Sequence, residues 1–316
     1  MLSGTAHSRQ TGRSLSKPMR IAAIDIGTNT AQLVVADVAP GRFDIVAEEE
    51  RFARLGQGVD ASRRLAPEAM DRAMRCLAEA QATAERLGAE RTVIGATSAS
   101  RDAENVDVLV ARVRDRLGLE YRVISGAEEA RLSFAGALAL APDLDRAVVL
   151  DVGGGSTELV VGSRDAGPEA RVSVDVGSVR LTERHLAGRP ASAQALNAAR
   201  HDVRDALATV PSAIRDALAV GVPVLATGSV AKILARRVDA GGFVPLDGIA
   251  AQAARLAALT PAQTLAADAS LAGREDVIAA AVLVVDAALR ALGADGYRPA
   301  AGGLRHGLAL HAAGLA

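Results

Sequence analysis

Apolar positions recur with two different periods along this chain, and the change from one to the other marks out elements in an ordered series. Runs at 20–26, 31–38 and 42–54 read as strands. Residues 67 to about 87 shift to the three-and-four spacing of an amphipathic helix, which Pro67 suits as a first-turn residue. A strand at 91–96, helices near 98–103 and 105–117, a strand at 121–125 and a helix from Gly126 complete a β-β-β-α-β-α-β-α order. The second half starts the series again, with strands at 146–152, 157–162 and 170–176 and helices near 179–187 and 192–209. A strand at 222–226, helices at 229–237, 247–258 and 274–292, and a last strand and helix over 297–311 follow. The pattern predicts an α/β protein built by duplication, its two mixed sheets facing each other across a cleft.

The punctuation repeats as well. Asp25-Ile26-Gly27-Thr28-Asn29-Thr30 closes the first apolar run, and Asp151-Val152-Gly153-Gly154-Gly155-Ser156-Thr157 closes the corresponding run of the second half. A single aspartate and glycine at a strand end is commonly only a tight turn. Two copies at domain-scale separation suggest a pair of phosphate-holding hairpins. Glycine lets backbone N–H groups approach an anion, hydroxyls add donors, and an aspartate can hold a cation that offsets phosphate charge.

Composition narrows the classes. Half of the 316 residues are apolar, enough for two domains with large cores. We expect 1–18 to be a disordered leader, 19–131 a first domain and 132–316 a second, with the last helix, about 303–312, packing back on the first. Aromatics are 2% of the chain and the net charge is −1, which argues against a nucleic-acid binder that stacks bases on a basic face. Any anion site must be a local cluster. The longest apolar run, Val277–Val285, is too short to span a bilayer, so no membrane association is expected. Cys76 is the only cysteine, which excludes disulfides within the chain and fits a reducing cytoplasm.

Candidate chemistry gathers around the two hairpins. Ser125-Gly126-Ala127-Glu128 fits a capping box, leaving Glu129 in the first helical turn, where the helix dipole favours an ionised carboxylate able to activate water. Arg101, in the hydroxyl-rich stretch after the 91–96 strand, can offer a bidentate fork to phosphate or pair with Asp102 or Glu104, while Asn105 suits a helix cap. Glu158 shares a strand face with Ser156 and with Asp151 can form a carboxylate pair for Mg²⁺, Asp25 assisting across the cleft. Thr227-Gly228-Ser229 is a third glycine turn ahead of a helix, a weaker candidate for anion contact through Gly228 and Ser229. His201-Asp202 has no partners spaced for a metal site.

The segments Ala23 to Thr30, Ala96 to Ala103, Ile124 to Leu132 and Leu150 to Leu159, in that order, resemble the exopolyphosphatase and guanosine pentaphosphate phosphohydrolase family, of the actin-like ATPase (ribonuclease H-like) fold. Gly177 to Glu183 and Gly303 to Gly307 are also similar to family segments. The resemblance implies Mg²⁺-dependent release of terminal phosphate from inorganic polyphosphate, or of the 5′ phosphate of guanosine pentaphosphate, and a homodimer. It implies Glu129 as the water-activating residue, with Glu158 as the other catalytic acid. It also implies Arg101, Gly27 to Thr30 and Gly153 to Thr157 against phosphate, and Asp151 with Glu158 at the metal. Longer relatives carry a C-terminal helical extension, and the sequence stops at Ala316, so short polyphosphate is the expected substrate. His306 stands where relatives have an acid, which would add positive charge. An ATP-dependent kinase of the same fold and a non-catalytic binder of guanosine tetra- or pentaphosphate are the competing readings. The former needs an acceptor pocket, and the latter leaves the acids unexplained.

Overall fold

The computed structural model describes residues 17–238 and 241–316. The leader expected at 1–18 falls outside them but for its last two residues. In the first half β1 (Met19–Ile26), β2 (Thr30–Ala39), β3 (Arg42–Phe52), β4 (Arg91–Ala96) and β5 (Tyr121–Val123) form a sheet ordered β3-β2-β1-β4-β5. The first three form an antiparallel meander, and β4 and β5 run parallel to β1. In the second half β6 (Arg146–Val152), β7 (Thr157–Ser163), β8 (Gly167–Val174), β9 (Val224–Thr227) and β11 (Gly296–Pro299) repeat the same order and directions, with β10 (Val244–Pro245) added at one edge. One topology used twice is the duplicated actin-like architecture.

Strand alternation explains how the two sheets share an interior. Ala22, Ile24 and Ile26 of β1 face the Pro67–Arg86 and Val106–Leu117 helices, while Ile21 and Ala23 face the Leu304–Ala312 helix. In β6, Val148, Leu150 and Val152 face the helices of the second half, while Ala147 and Val149 face the Gly126–Ala139 helix. Burial on both faces accounts for the near-continuous apolar runs of β1 and β6. The chain's last helix thus lies on the first sheet, and the Gly126–Ala139 helix sends Leu132 toward that sheet and Ala130 and Phe134 toward the second.

These two helices cross at glycines. A Cβ on Gly307 would lie 1.9 Å from the Leu132 carbonyl oxygen, and one on Gly136 2.1 Å from that of Gly303. Gly307→Ala should therefore force the helices apart and cost about 1–3 kcal/mol. An unchanged unfolding temperature would show that the crossing can widen freely.

The elements that sequence periodicity did not reveal are short: helices at Val59–Ser62, Ser212–Ala219 and Pro261–Ala267, and two-residue β10. Segments of two to eight residues hold too few apolar repeats to declare a period. The helix expected over 179–187 is a turn of α-helix at Ser178–Leu181 followed by a π-helical turn at Thr182–Leu186.

Candidate active site

The two hairpins meet at the mouth of the interior. In each, the glycine after the strand closes the same backbone turn: Gly27 N–H donates to Thr30 O at 2.9 Å and Gly153 N–H to Ser156 O at 3.0 Å. They approach so closely that a Cβ on Gly154 would lie 2.7 Å from Thr28 Cβ, and one on Gly155 2.8 Å from Thr28 Oγ1. Only glycine leaves that space open. Between the halves is a cleft of about 280 Å³ lined by Gly27, Thr28, Asn29, Thr30, Gly153, Gly154, Gly155, Ser156, Gly228 and Ser229 and by the carboxylates Asp25, Glu129, Asp151 and Glu158.

Glu129 and Glu158 are buried, and Asp25 and Asp151 are partly buried beside them. Asp151 and Glu158 sit directly opposite each other on β6 and β7. Ser133 donates to Asp151 Oδ2 at 2.7 Å and Ser173 to Glu158 Oε1 at 2.7 Å, whereas Asp25 Oδ1 has no hydrogen-bond partner. Burial, then repulsion from Glu129 and Asp151, pushes the Asp25 and Glu158 carboxyls well above the usual range, and burial raises Asp151. Glu129 is pushed up to about 7 by burial, against the downward pull of Arg101. The helix dipole was expected to keep Glu129 fully ionised. Desolvation outweighs it because the side chain is only 9% exposed.

Crowded acids with an orphaned oxygen are a donor set that a hard cation would relieve. Among the described residues no group of three or more His, Cys, Asp or Glu is arranged to hold a metal. A pair such as Asp151 and Glu158 has the chemistry to hold Mg²⁺, which usually takes one or two carboxylates.

Several expected contacts differ. Arg101 does not line the cleft. It stands behind Glu129, donating to Glu129 Oε2 at 2.5 Å and to the Ile124 carbonyl at 3.1 Å, with Ser156 Oγ 3.5 Å away, and pairs with neither Asp102 nor Glu104. Thr157 also points away, its hydroxyl donating to Val176 O at 2.6 Å. The capping box is half made: Ser125 Oγ accepts from Glu128 N, but the Glu128 carboxylate turns to Arg122, 2.5 Å away. Asn105 precedes the Val106–Leu117 helix, yet its side chain brackets the Leu65 backbone instead of capping. His306 is 1% exposed, and burial pushes its imidazole below the ordinary value against the pull of Glu48, 3.1 Å from its Nε2, so burial works against the positive charge expected there. Its Nδ1 accepts from Gly303 N.

The outer part of the cleft was largely missed in the sequence. Glu48 and Glu50 of β3 face Arg305, Arg274 and Lys232 of the second half, with Glu50 2.7 Å from Arg274. Lys232, one of only two lysines, and Arg305, inside a motif already singled out, carried some signal. Arg274 carried none, because its partner lies 224 positions away.

Comparison with known proteins fits this geometry. The model of the Ppx/GppA phosphatase family matches residues 34–315. The chain belongs to that family. Exopolyphosphatase 2 of Mycobacterium tuberculosis is 39% identical over 294 residues, covering 86% of this chain and 91% of that protein. A guanosine-5′-triphosphate,3′-diphosphate pyrophosphatase of Photobacterium profundum is 33% identical over 187 residues, 59% of this chain and 37% of the relative. A crystal structure of an exopolyphosphatase-like protein superposes with a TM-score of 0.82 at 30% identity, covering 94% of this chain and 98% of that one. As a Ppx/GppA member the protein is a hydrolase of phosphoanhydride bonds. Among its described residues no helix is long and apolar enough to cross a membrane.

Proposed function

We propose that the enzyme releases terminal orthophosphate from inorganic polyphosphate by attack of a water activated by Glu129. The observation that carries this reading is a buried carboxyl pushed up to about 7, fixed by Arg101 beside a cleft between two phosphate-type hairpins. A base that titrates near neutrality is suited to take a proton from water at working pH. The relative matched along nearly its whole length bears the name exopolyphosphatase, which supports polyphosphate over guanosine pentaphosphate.

Phosphoryl transfer asks little covalent chemistry of the protein beyond position and charge. Amides of Thr28–Thr30 and Gly154–Ser156, beyond the turn-closing Gly27 and Gly153, hold the terminal phosphate from two sides. The ionised Glu129 orients the water and accepts its proton, and Arg101 keeps that carboxylate aimed. Asp151 and Glu158 are the pair that would hold Mg²⁺, with Asp25 adding negative charge from across the cleft. The ion would supply neutralisation of phosphate charge.

The test is phosphate release from tripolyphosphate, long-chain polyphosphate, guanosine pentaphosphate and ATP in parallel with Mg²⁺. Fastest release from guanosine pentaphosphate would transfer the assignment to the 5′-phosphohydrolase, and release from none would remove it. A pH profile tests the base. Because the ionised form of Glu129 works, kcat/KM should rise with pH through about 7 and then level. Arg101 pulls that pKa down, so Arg101→Ala should move the rising limb to higher pH. A profile flat from pH 5 to 8 would count against Glu129.

A further inference from the structure

We infer that Arg180 is a positioning residue for this reaction: one guanidinium sets the peptide orientation of the second phosphate hairpin and ties that hairpin to the opposite half of the molecule. The inference rests on the proposed catalytic cleft.

The carbonyls of the three hairpin glycines are all taken by the Ser178–Arg180 turn behind them. Ser178 N–H donates to Gly153 O at 3.0 Å, and Val179 and Arg180 N–H to Gly154 O at 2.8 and 3.2 Å. The last carbonyl, Gly155 O, accepts from Arg180 Nε at 2.8 Å. A peptide whose carbonyl is held on one side presents the next residue's N–H on the other, and the other side here is the cleft. Without a partner, Gly155 O would be free to rotate and take the Ser156 N–H out of line with the phosphate.

The same side chain reaches across the cleft's rear. Its two terminal nitrogens pair with Asp60 and Asp102 of the first half, and Ser98 Oγ is 3.4 Å from one of them. Asp102 directly follows Arg101, which holds Glu129, so both ends of the proposed machinery share one anchor. The Arg180 side chain is 8% exposed and makes all these contacts at once. That requires a planar fork with donors in several directions, which an ammonium cannot supply.

A purely adhesive ion pair between halves would behave differently, and three variants separate the cases. Arg180→Lys keeps the charge between Asp60 and Asp102 but cannot also hold Gly155 O. Asp60→Asn weakens the contact between halves, where Asp60 pairs with Arg180 and Arg184, and leaves the hairpin contact intact. We expect R180K to remain folded, to lose about tenfold in kcat/KM for tripolyphosphate, and to show most of that loss in kcat; D60N should stay within about threefold. Arg180→Ala should lose more than either. Wild-type kinetics in R180K, or equal losses in R180K and D60N, would overturn the inference. Should R180K melt below assay temperature, R180A assayed with added guanidinium supplies the readout, and failure of guanidinium to restore phosphate release would count against the role. Glu129→Gln run alongside keeps the readings apart: if it is inactive while R180K is unimpaired, only the role of Arg180 falls, whereas a fully active E129Q removes the catalytic cleft itself.

Discussion

Glu129→Gln is expected to abolish phosphate release while leaving substrate binding largely intact. Glutamine preserves the shape of the side chain and can still accept from Arg101, now 2.5 Å from Glu129 Oε2, but it cannot take a proton from water. A positioned general base contributes about 10²–10⁴-fold, and a loss of that size in kcat with little change in KM is the expected signature. Binding of tripolyphosphate by calorimetry should persist, since the hairpins proposed to hold phosphate are untouched. Retention of more than a tenth of the wild-type rate would pass the role to Glu158, the other carboxylate assigned to catalysis.

Asp25→Asn should lower activity and raise the stability of the ligand-free protein together. Asp25 is partly buried, its buried Oδ1 lacks a partner, and its ionised form is disfavoured first by desolvation and then by Glu129 and Asp151. A carboxyl raised in the folded state stabilises only while protonated, and that contribution is lost as pH rises through the folded pKa. At pH 8 the variant should therefore melt above wild type, by about 2–4 °C for each kcal/mol relieved, and the difference should vanish in acid. If the cluster serves a cation, Mg²⁺ should raise the wild-type melting temperature and do so less in D25N. Phosphate release should fall about 100-fold or more in the variant, and with wild-type enzyme in excess chelator, because several kcal/mol of charge stabilisation is removed. Full activity in chelator would exclude the metal assignment, and a lower melting temperature for D25N at pH 8 would exclude the strain.

The sequence alone determined the parts of this protein that are local or repeated. β1 and β6 announce themselves as apolar runs because both faces are buried, and the two aspartate-glycine hairpins are legible because the turn chemistry they need is spelled by adjacent residues. Glu129 stands out because Ser125 accounts for its neighbour as a helix start. Tertiary structure alone decided the partners. Nothing in the Arg101 stretch says that its guanidinium pairs with Glu129, 28 positions on, and nothing near Arg180 says that it joins Gly155 to Asp60 and Asp102. The protonation of Glu129 is not legible locally for the same reason. Its helix position is local and favours charge, whereas its desolvation comes from both halves closing over it, and at that depth burial outweighs a dipole that acts through only the first turn.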